Sequence, residues 1–280
     1  MALDQLSIDD FAYVADVVRD RAAIVLEPGK EYLVETRLRP LLRQLQYATI
    51  HDLIEAARKH VRGSVEASIV EALTTNETHF YRDTSFYDVL KEGVLPELIE
   101  KRRPERKLSF WCAACSSGQE PYSILMLLHE HFSEVLDWDL FFLASDLSQQ
   151  MLERTRKGRY SVHEANRGLP ANLLMKYFDR DGVHWQVKEE LRSMLEVRSV
   201  NLAKQWAPMP KLDLVFMRNV LIYFDVETKK EVLDRVKGVM KTDGLLFLGG
   251  SETLFGIDKN FQRSAHGKAS CYELPPVPTV

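Results

Sequence analysis

The chain is short of the features that mark several protein classes. Cysteine occurs three times in 280 residues, an odd and sparse count that excludes a disulfide framework and fits a reducing compartment. No stretch reaches the ~18 uninterrupted apolar residues of a membrane span. The opening MALDQLSIDDF is acidic and has no positively charged stretch before an apolar core, so it does not read as a signal peptide. Basic charge is not in excess: 37 Lys and Arg face 41 Asp and Glu, a net of −4, which argues against a nucleic-acid binder. Only 13 glycines and 11 prolines are present, without repeat or low complexity, which excludes a collagen-like chain. Neither GxGxxG nor GxxxxGK[ST] occurs, so the two common phosphate cradles are missing. The CxxC at Cys112 and Cys115 has no second pair, and a zinc site needs about four ligands. No metal is expected, and a soluble cytoplasmic protein is.

What is present is ordinary globular material, 45% hydrophobic and 28% charged. The length suggests about two domains at ~150 residues each. Residues 1–75 carry helical patterns and no convincing strand. Ile8, Phe11, Ala12, Ala15 and Val18 can share one helix face, with Ser7 and Asp10 as a cap signal. A second pattern runs from Glu31 to Leu45 with a candidate break at Pro40, and two more cover His51–Lys59 and Ser64–Leu73.

From Lys107 the period changes. KLSFWCAAC, LFFLASD, LDLVFM, GLLFLGG and ASCYEL read as buried strands. The first four are separated by amphipathic helices at Gln119–Phe132, Ser148–Lys157 and Glu227–Met240. This alternation predicts a doubly wound, mostly parallel α/β sheet. VHWQV (183–187) and residues 194–200, after the DRDG turn, read as a small antiparallel β insertion at about 180–200. The tail PPVPTV should be extended.

Ligands of such sheets bind outside the strand carboxyl ends, and three segments meet there. CAACSSGQEPYS offers small residues for close backbone approach, and equally a plain strand-to-helix turn. Asp146 ends LFFLASD, where an acid takes ribose hydroxyls or caps the next helix. Arg218 and Asn219 follow LDLVFM. A fourth segment, TTNETHFYRD, sets Phe80 and Tyr81 in what would otherwise be a solvated linker. Aromatics are costly to leave there, so it is expected to fold over the sheet's rim.

Taken in order, NETHFYRD, CAACSSGQEPYS, LASDLS, VNL, FMRNVLIYFD and GLLFLGGSE resemble the CheR family of chemotaxis receptor methyltransferases. The resemblance spans nearly the whole chain. It implies a Rossmann-like S-adenosylmethionine-dependent methyltransferase domain at 85–280, a small all-α domain at 1–75, and a linker at 76–84 folding over the cofactor site. It implies a protein-glutamate O-methyltransferase, making methyl esters of chemoreceptor glutamates in adaptation and releasing S-adenosylhomocysteine. By motif, Asn76, Thr78 and Arg82 approach the cofactor or substrate. Ala114 and Glu120 line the cofactor's amino-acid end, Asp146 takes the ribose, and Asn201 and Leu202 flank the adenine. Arg218 and Asn219 close the site, and Tyr223 lies near the methyl. Arg82 and Tyr223 are the catalytic candidates. Gln119 stands where many relatives carry an acid, which should shift cofactor affinity slightly.

The implied partners are chemoreceptor cytoplasmic domains, with no nucleic acid and no membrane insertion. A basic cluster of Arg37, Arg39 and Arg43 is the implied receptor dock, and Arg58, Lys59 and Arg62 form another. Residues 1–75 hold more acidic than basic side chains, so a solvated helix face remains the plain alternative. The family's β insertion can grip a receptor C-terminal peptide by strand addition. FDRDGVHWQV is short, and strong tethering is not expected. A monomer is expected. A small-molecule methyltransferase and a non-catalytic S-adenosylmethionine sensor remain open on the sequence.

Overall fold

A computed structural model describes residues 6–61, 63–266 and 269–275. Arg62 of the second basic cluster, residues 1–5 of the opening segment and residues 276–280 of the tail lie outside them. The chain divides into two compact units, residues 1–75 with 223–228, and residues 76–222 with 229–280.

The first unit contains helices Ile8–Ala22, Glu31–Leu45, Ile50–Lys59 and Ser64–Leu73. Ser7 caps the first through the Asp10 N–H, and Thr49 with Asp52 forms a reciprocal capping box on the third. Such caps are worth ~1 kcal/mol each. The inward face of the first helix differs from the expected one. Phe11, Val14, Val18 and Ala22 are buried, whereas Ile8 is 87% exposed and Ala12 is exposed. The true stripe runs at i, i+3, i+7 and i+11, and Ile8 falls one turn before the packing begins. Pro40 does not interrupt the second helix. A mid-helix proline costs ~3 kcal/mol, and burial of Val34, Leu38 and Leu41 around it outweighs that.

Among the described residues of this unit, Asp10 and Glu66 are buried carboxylates. Glu66 meets Arg21 at 3.0 Å. Asp10 meets His51 Nδ1 at 2.9 Å and Arg58 Nη2 at 3.4 Å. Burial opposes the Asp10 charge, but hydrogen bonds from His51, Ser7 and Arg58 prevail and hold its pKa below the ordinary value.

The second unit is built on a sheet with the strand order β6-β2-β1-β7-β8-β10-β9. Its members are β1 (Lys107–Ala113), β2 (Asp139–Asp146), β6 (Glu196–Ser199), β7 (Leu212–Phe216), β8 (Met240–Phe247), β9 (Gln262–Arg263) and β10 (Cys271–Glu273). The five strands from β6 to β8 run parallel, and β10 and β9 are antiparallel additions. β1 and β7 are buried on both faces, which is why they read as mostly apolar runs. Phe86, Phe110, Phe216 and Phe247 pack edge-on or stacked at 5.4–6.2 Å across this core.

A second sheet has the order β3-β5-β4, formed by β3 (Arg159–Ser161), β4 (Phe178–Asp181) and β5 (His184–Val187). Two expectations are corrected here. The antiparallel insertion begins at Arg159 and ends at Val187, not at about 180–200. Residues 196–199 do not belong to it: they pair parallel with β2 as an edge of the main sheet, after a helical turn at Glu189–Arg192. The strand itself was legible, but which sheet it joins is decided by its distant partner β2.

At the end of the sheet away from the strand carboxyl termini, Asp213 is fully buried. It accepts from Arg102 Nε at 2.7 Å, Ser109 N at 2.9 Å and Ser109 Oγ at 2.8 Å, and Lys241 Nζ lies at 2.9 Å. This one carboxylate ties β1, β7 and β8 to helix Leu95–Arg102.

The His51–Asp10 pair predicts a pH signature. The Asp10 hydrogen bond and charge raise the His51 pKa. The pair's stabilisation is therefore complete below the unfolded histidine value of about 6.5 and disappears as pH rises through the folded value. On the acid side it disappears as pH falls through the lowered Asp10 value. Thermal melts of wild type and His51→Gln should differ at about pH 6 and converge at about pH 8.5. A constant gap between the two proteins would contradict this.

Candidate functional site

The chain crosses from β1 to β2 on one side and later to β7 on the other, so the switch point lies between β1 and β7. Open α/β sheets bind ligands there. The loop leaving β1 is tightly wound: Ala114, Ser116 and Gly118 all have left-handed backbone angles, at φ 58°, 50° and 91°. Two of them are not glycine, a conformation that persists only when surrounding bonds over-determine it. Asp146 supplies those bonds. Its Oδ2 accepts from Ser116 N at 2.8 Å and its Oδ1 from Ser148 N at 2.9 Å. Ser148, not Asp146, caps the following helix. Gly118 cannot carry a side chain, since a Cβ would lie 2.9 Å from Thr155. Gln119 is buried and accepts from Ser117 Oγ at 2.8 Å, a neutral contact within the loop.

The segment 76–83 is fastened to this loop. Ser116 Oγ donates to the Asn76 carbonyl at 2.8 Å, and Tyr81 N to Ser123 Oγ at 3.1 Å. Phe80 is fully buried against Tyr160 and Phe178 at 4.9 and 5.6 Å. Gly168 makes room for it: a Cβ there would sit 2.1 Å from the Phe80 carbonyl oxygen.

Arg218 closes the arrangement after β7. Its side chain is 2% exposed. Nη1 meets Glu120 Oε2 at 2.6 Å, and Nη2 meets Asp83 Oδ2 at 2.7 Å and the Arg82 carbonyl at 2.9 Å. The guanidinium lies 4.1 Å over the Phe86 ring. Burial works against its charge, but Glu120 and Asp83 outweigh it and the pKa stands above the usual arginine value. Its buried Nε has no hydrogen-bond partner among the described residues.

Asn219 has a left-handed φ of 59°, held by Glu252. The Glu252 Oε2 accepts from Asn219 N and Gly249 N, both at 2.7 Å, and its Oε1 from Ile222 N at 3.3 Å. Glu252 is 6% exposed and was not among the expected site residues. The available signal was an acid two residues after the GG that follows an apolar strand. On the far side, β6 ends opposite Asp146, and Val200 N donates to the Asp146 carbonyl at 3.1 Å. Asn201 Oδ1 accepts from Ala203 N at 3.0 Å, and Leu202 is buried with its carbonyl on Arg235.

The structure thus brings Asn76, Arg82, Ala114, Glu120, Asp146, Asn201, Leu202, Arg218 and Asn219 onto connected loops at one rim, with Thr78, half-buried, inside the fastened segment. Arg82 Nη1 donates to the Glu77 carbonyl at 3.0 Å. Among the described residues no carboxylate stands within ion-pair distance of it, Asp83 being taken by Arg218. Tyr223 is half-buried, its carbonyl accepts from Val25 N at 3.0 Å, and it groups with the first unit. Cys112 and Cys115 are unpaired and buried, and burial pushes both thiols well above their ordinary range. They are inert packing residues.

Residues 76–269 match the family profile described as CheR methyltransferase, SAM binding domain, and residues 9–74 match CheR methyltransferase, all-alpha domain. The chain belongs to the CheR methyltransferase family. It is 40% identical over 257 residues to chemotaxis protein methyltransferase Cher2 of Pseudomonas putida, covering 90% of this chain and 93% of that protein. It is 41% identical over 258 residues to chemotaxis protein methyltransferase 1 of Pseudomonas aeruginosa, with the same coverage. A third relative, from Vibrio parahaemolyticus, is 34% identical over 96% of this chain and 98% of its own. The protein is accordingly an S-adenosylmethionine-dependent methyltransferase of chemotaxis.

The residues at the rim fit that methyl donor. Glu120, Asp83, Asp146 and Glu252 outnumber Arg82 and Arg218, a balance suited to a ligand bearing a sulfonium and an ammonium. The buried, unpartnered Arg218 Nε is a donor matched to a carboxylate.

Glu252→Ala would leave the N–H groups of Asn219, Gly249 and Ile222 without their acceptor. Each buried unsatisfied group costs ~1–3 kcal/mol. The expected result is a loss of roughly 2–4 kcal/mol in stability and at least a tenfold weaker S-adenosylmethionine affinity by calorimetry. Glu252→Gln, which keeps one acceptor oxygen, should lose less of both. An alanine variant with unchanged affinity would show that the loop does not need the clamp.

Proposed function

We propose that the protein methylates glutamate side chains of chemoreceptor cytoplasmic domains to glutamate methyl esters, as a cytoplasmic protein-glutamate O-methyltransferase. The observation that carries this reading is the Arg82 guanidinium. It lies in the fastened segment next to the Arg218 cluster, yet its hydrogen bond goes to a backbone carbonyl and not to an acid. Its remaining N–H groups suit an incoming carboxylate.

When bound, S-adenosylmethionine supplies a methyl group on a sulfonium, a leaving group that needs no further activation. The acceptor needs no base either, because a glutamate carboxylate with a reference pKa of about 4.3 is ionised at neutral pH. The work left to the chain is alignment and partial removal of water, and such positioning is worth ~7–11 kcal/mol. Arg82 orients the acceptor carboxylate through a limited contact, since a tight bidentate pair would blunt the nucleophile. Arg218, Glu120, Asn219 and Ala114 hold the amino-acid end of the donor, with Asn76 and Thr78 from the fastened segment. Asp146 faces the ribose, and Asn201 and Leu202 flank the adenine. Tyr223 is assigned near the methyl by its place in the FMRNVLIYFD motif.

In the first unit, Arg37 donates to the Leu73 and Thr74 carbonyls and to Thr75 Oγ1. It therefore caps the end of helix Ser64–Leu73. Arg39, 3.5 Å from Glu35, and the exposed Arg43 are left as the receptor-docking pair, read as charge complementarity to an acidic receptor helix.

The test is transfer of labelled methyl from S-adenosylmethionine to chemoreceptor-containing membranes, wild type against Arg82→Ala. Wild type should deposit base-labile label. The variant should lose about a hundredfold or more in rate, with S-adenosylmethionine affinity retained within a few-fold. Base-stable label, or none, would overturn the glutamate reading.

A further inference from the structure

The carboxyl ends of β7 and β8 carry a feature that the donor cradle does not use. Ile222 is 50% exposed and Phe255 is 91% exposed. The two strands are parallel neighbours, with Phe216 opposite Phe247 at their ends, so their loops leave the rim side by side. Glu252 binds the loops into one body, holding Asn219 and Ile222 of the first and Gly249 of the second.

Phe255 is not at the tip of a slack loop. Its neighbour Leu254 is buried, donates its N–H to the Tyr272 hydroxyl at 3.4 Å, and accepts on its carbonyl from Ile257 at 3.0 Å and Asp258 at 3.2 Å. Gly256 closes the turn with a φ of 73°, and the Phe255 N–H is taken by Thr253 Oγ1 at 3.1 Å. An ordered turn therefore presents a whole aromatic ring to solvent, three residues from the carboxylate that shapes the site. Aromatic side chains held this way act as binding anchors.

We infer that Ile222 and Phe255 form an apolar shoulder of the acceptor site, and that it takes a receptor segment whose methylated glutamate is flanked by apolar side chains. This rests on the receptor-glutamate reading above. The shoulder is continuous with the site through Glu252 and touches the acceptor chain, not the reacting atoms. It contributes equally before and during transfer, so its loss raises KM and leaves kcat in place.

Initial rates of methyl transfer are to be measured against receptor-fragment concentration for wild type, Phe255→Ser, Ile222→Ser, Phe255→Leu and Met175→Ser. Met175 is 69% exposed in helix Ala171–Tyr177 and serves as a control for surface apolarity. Phe255→Ser should raise KM about tenfold and Ile222→Ser by a smaller factor, with kcat and S-adenosylmethionine affinity within twofold of wild type. Phe255→Leu should recover most of the loss, and Met175→Ser should match wild type. An unchanged KM in Phe255→Ser, or an equal rise in Met175→Ser, would overturn the assignment. A wild type that leaves the receptor unlabelled would instead overturn the reading on which it rests, and the shoulder with it.

Discussion

The site depends on one buried cation. Arg218 draws three separate stretches of chain to a single point: Glu120 at the start of the helix after β1, Asp83 and the Arg82 carbonyl of the fastened segment, and its own loop after β7. Taking a guanidinium out of water is expensive, and the cost is recovered only where hydrogen bonds and opposite charge surround it. Two carboxylates, a carbonyl and the Phe86 face supply that surrounding. The consequence is conditional order: without the cation, two acids would face each other at the rim, and the segment carrying Arg82 would lose its anchor.

Two further carboxylates at the rim, Asp146 and Glu252, serve as acceptors for backbone N–H groups. Asp146 holds the loop after β1, and Glu252 holds the loops after β7 and β8. Both support residues in left-handed conformations that are not glycine, Ser116 and Asn219, where strain is tolerated only because the bonds are fixed. A preorganised cradle of this kind suits a reaction in which alignment is the main contribution. Asp213 at the opposite end of the sheet ties strands together mainly through side chains, those of Arg102, Lys241 and Ser109, with one backbone N–H. A buried acid alone therefore does not mark a site. Position relative to the strand carboxyl ends does.

Much of this was legible in the sequence because the determining signals are local. The apolar runs in KLSFWCAAC and LDLVFM were readable as strands because those strands are buried on both faces. Ser7 and Ser148 mark helix starts through bonds made within three residues. Phe80 and Tyr81 showed that residues 76–83 are no loose linker. What escaped was set by distant partners. Residues 194–200 read as a strand, but their place at the edge of the main sheet is set only by pairing with β2. Glu252 has its meaning from Asn219, 33 residues earlier. Arg37 looked like one of three equal basic residues until the carbonyls at the end of the fourth helix claimed it.

Asp146 shows how the two kinds of information combine. The sequence left it between a helix cap and a ribose acceptor. The geometry removes the first, since Ser148 caps the helix, and adds a third role, the fastening of Ser116. Each carboxylate oxygen thus holds a backbone N–H, Ser116 on one and Ser148 on the other, so the loops after β1 and β2 are fixed by one side chain. The same economy appears at Arg218, which holds the fastened segment with its two Nη groups and leaves Nε unpartnered among the described residues. A residue that fastens the loops can in this way keep a donor group in reserve, which joins the order of the rim to the binding proposed for it.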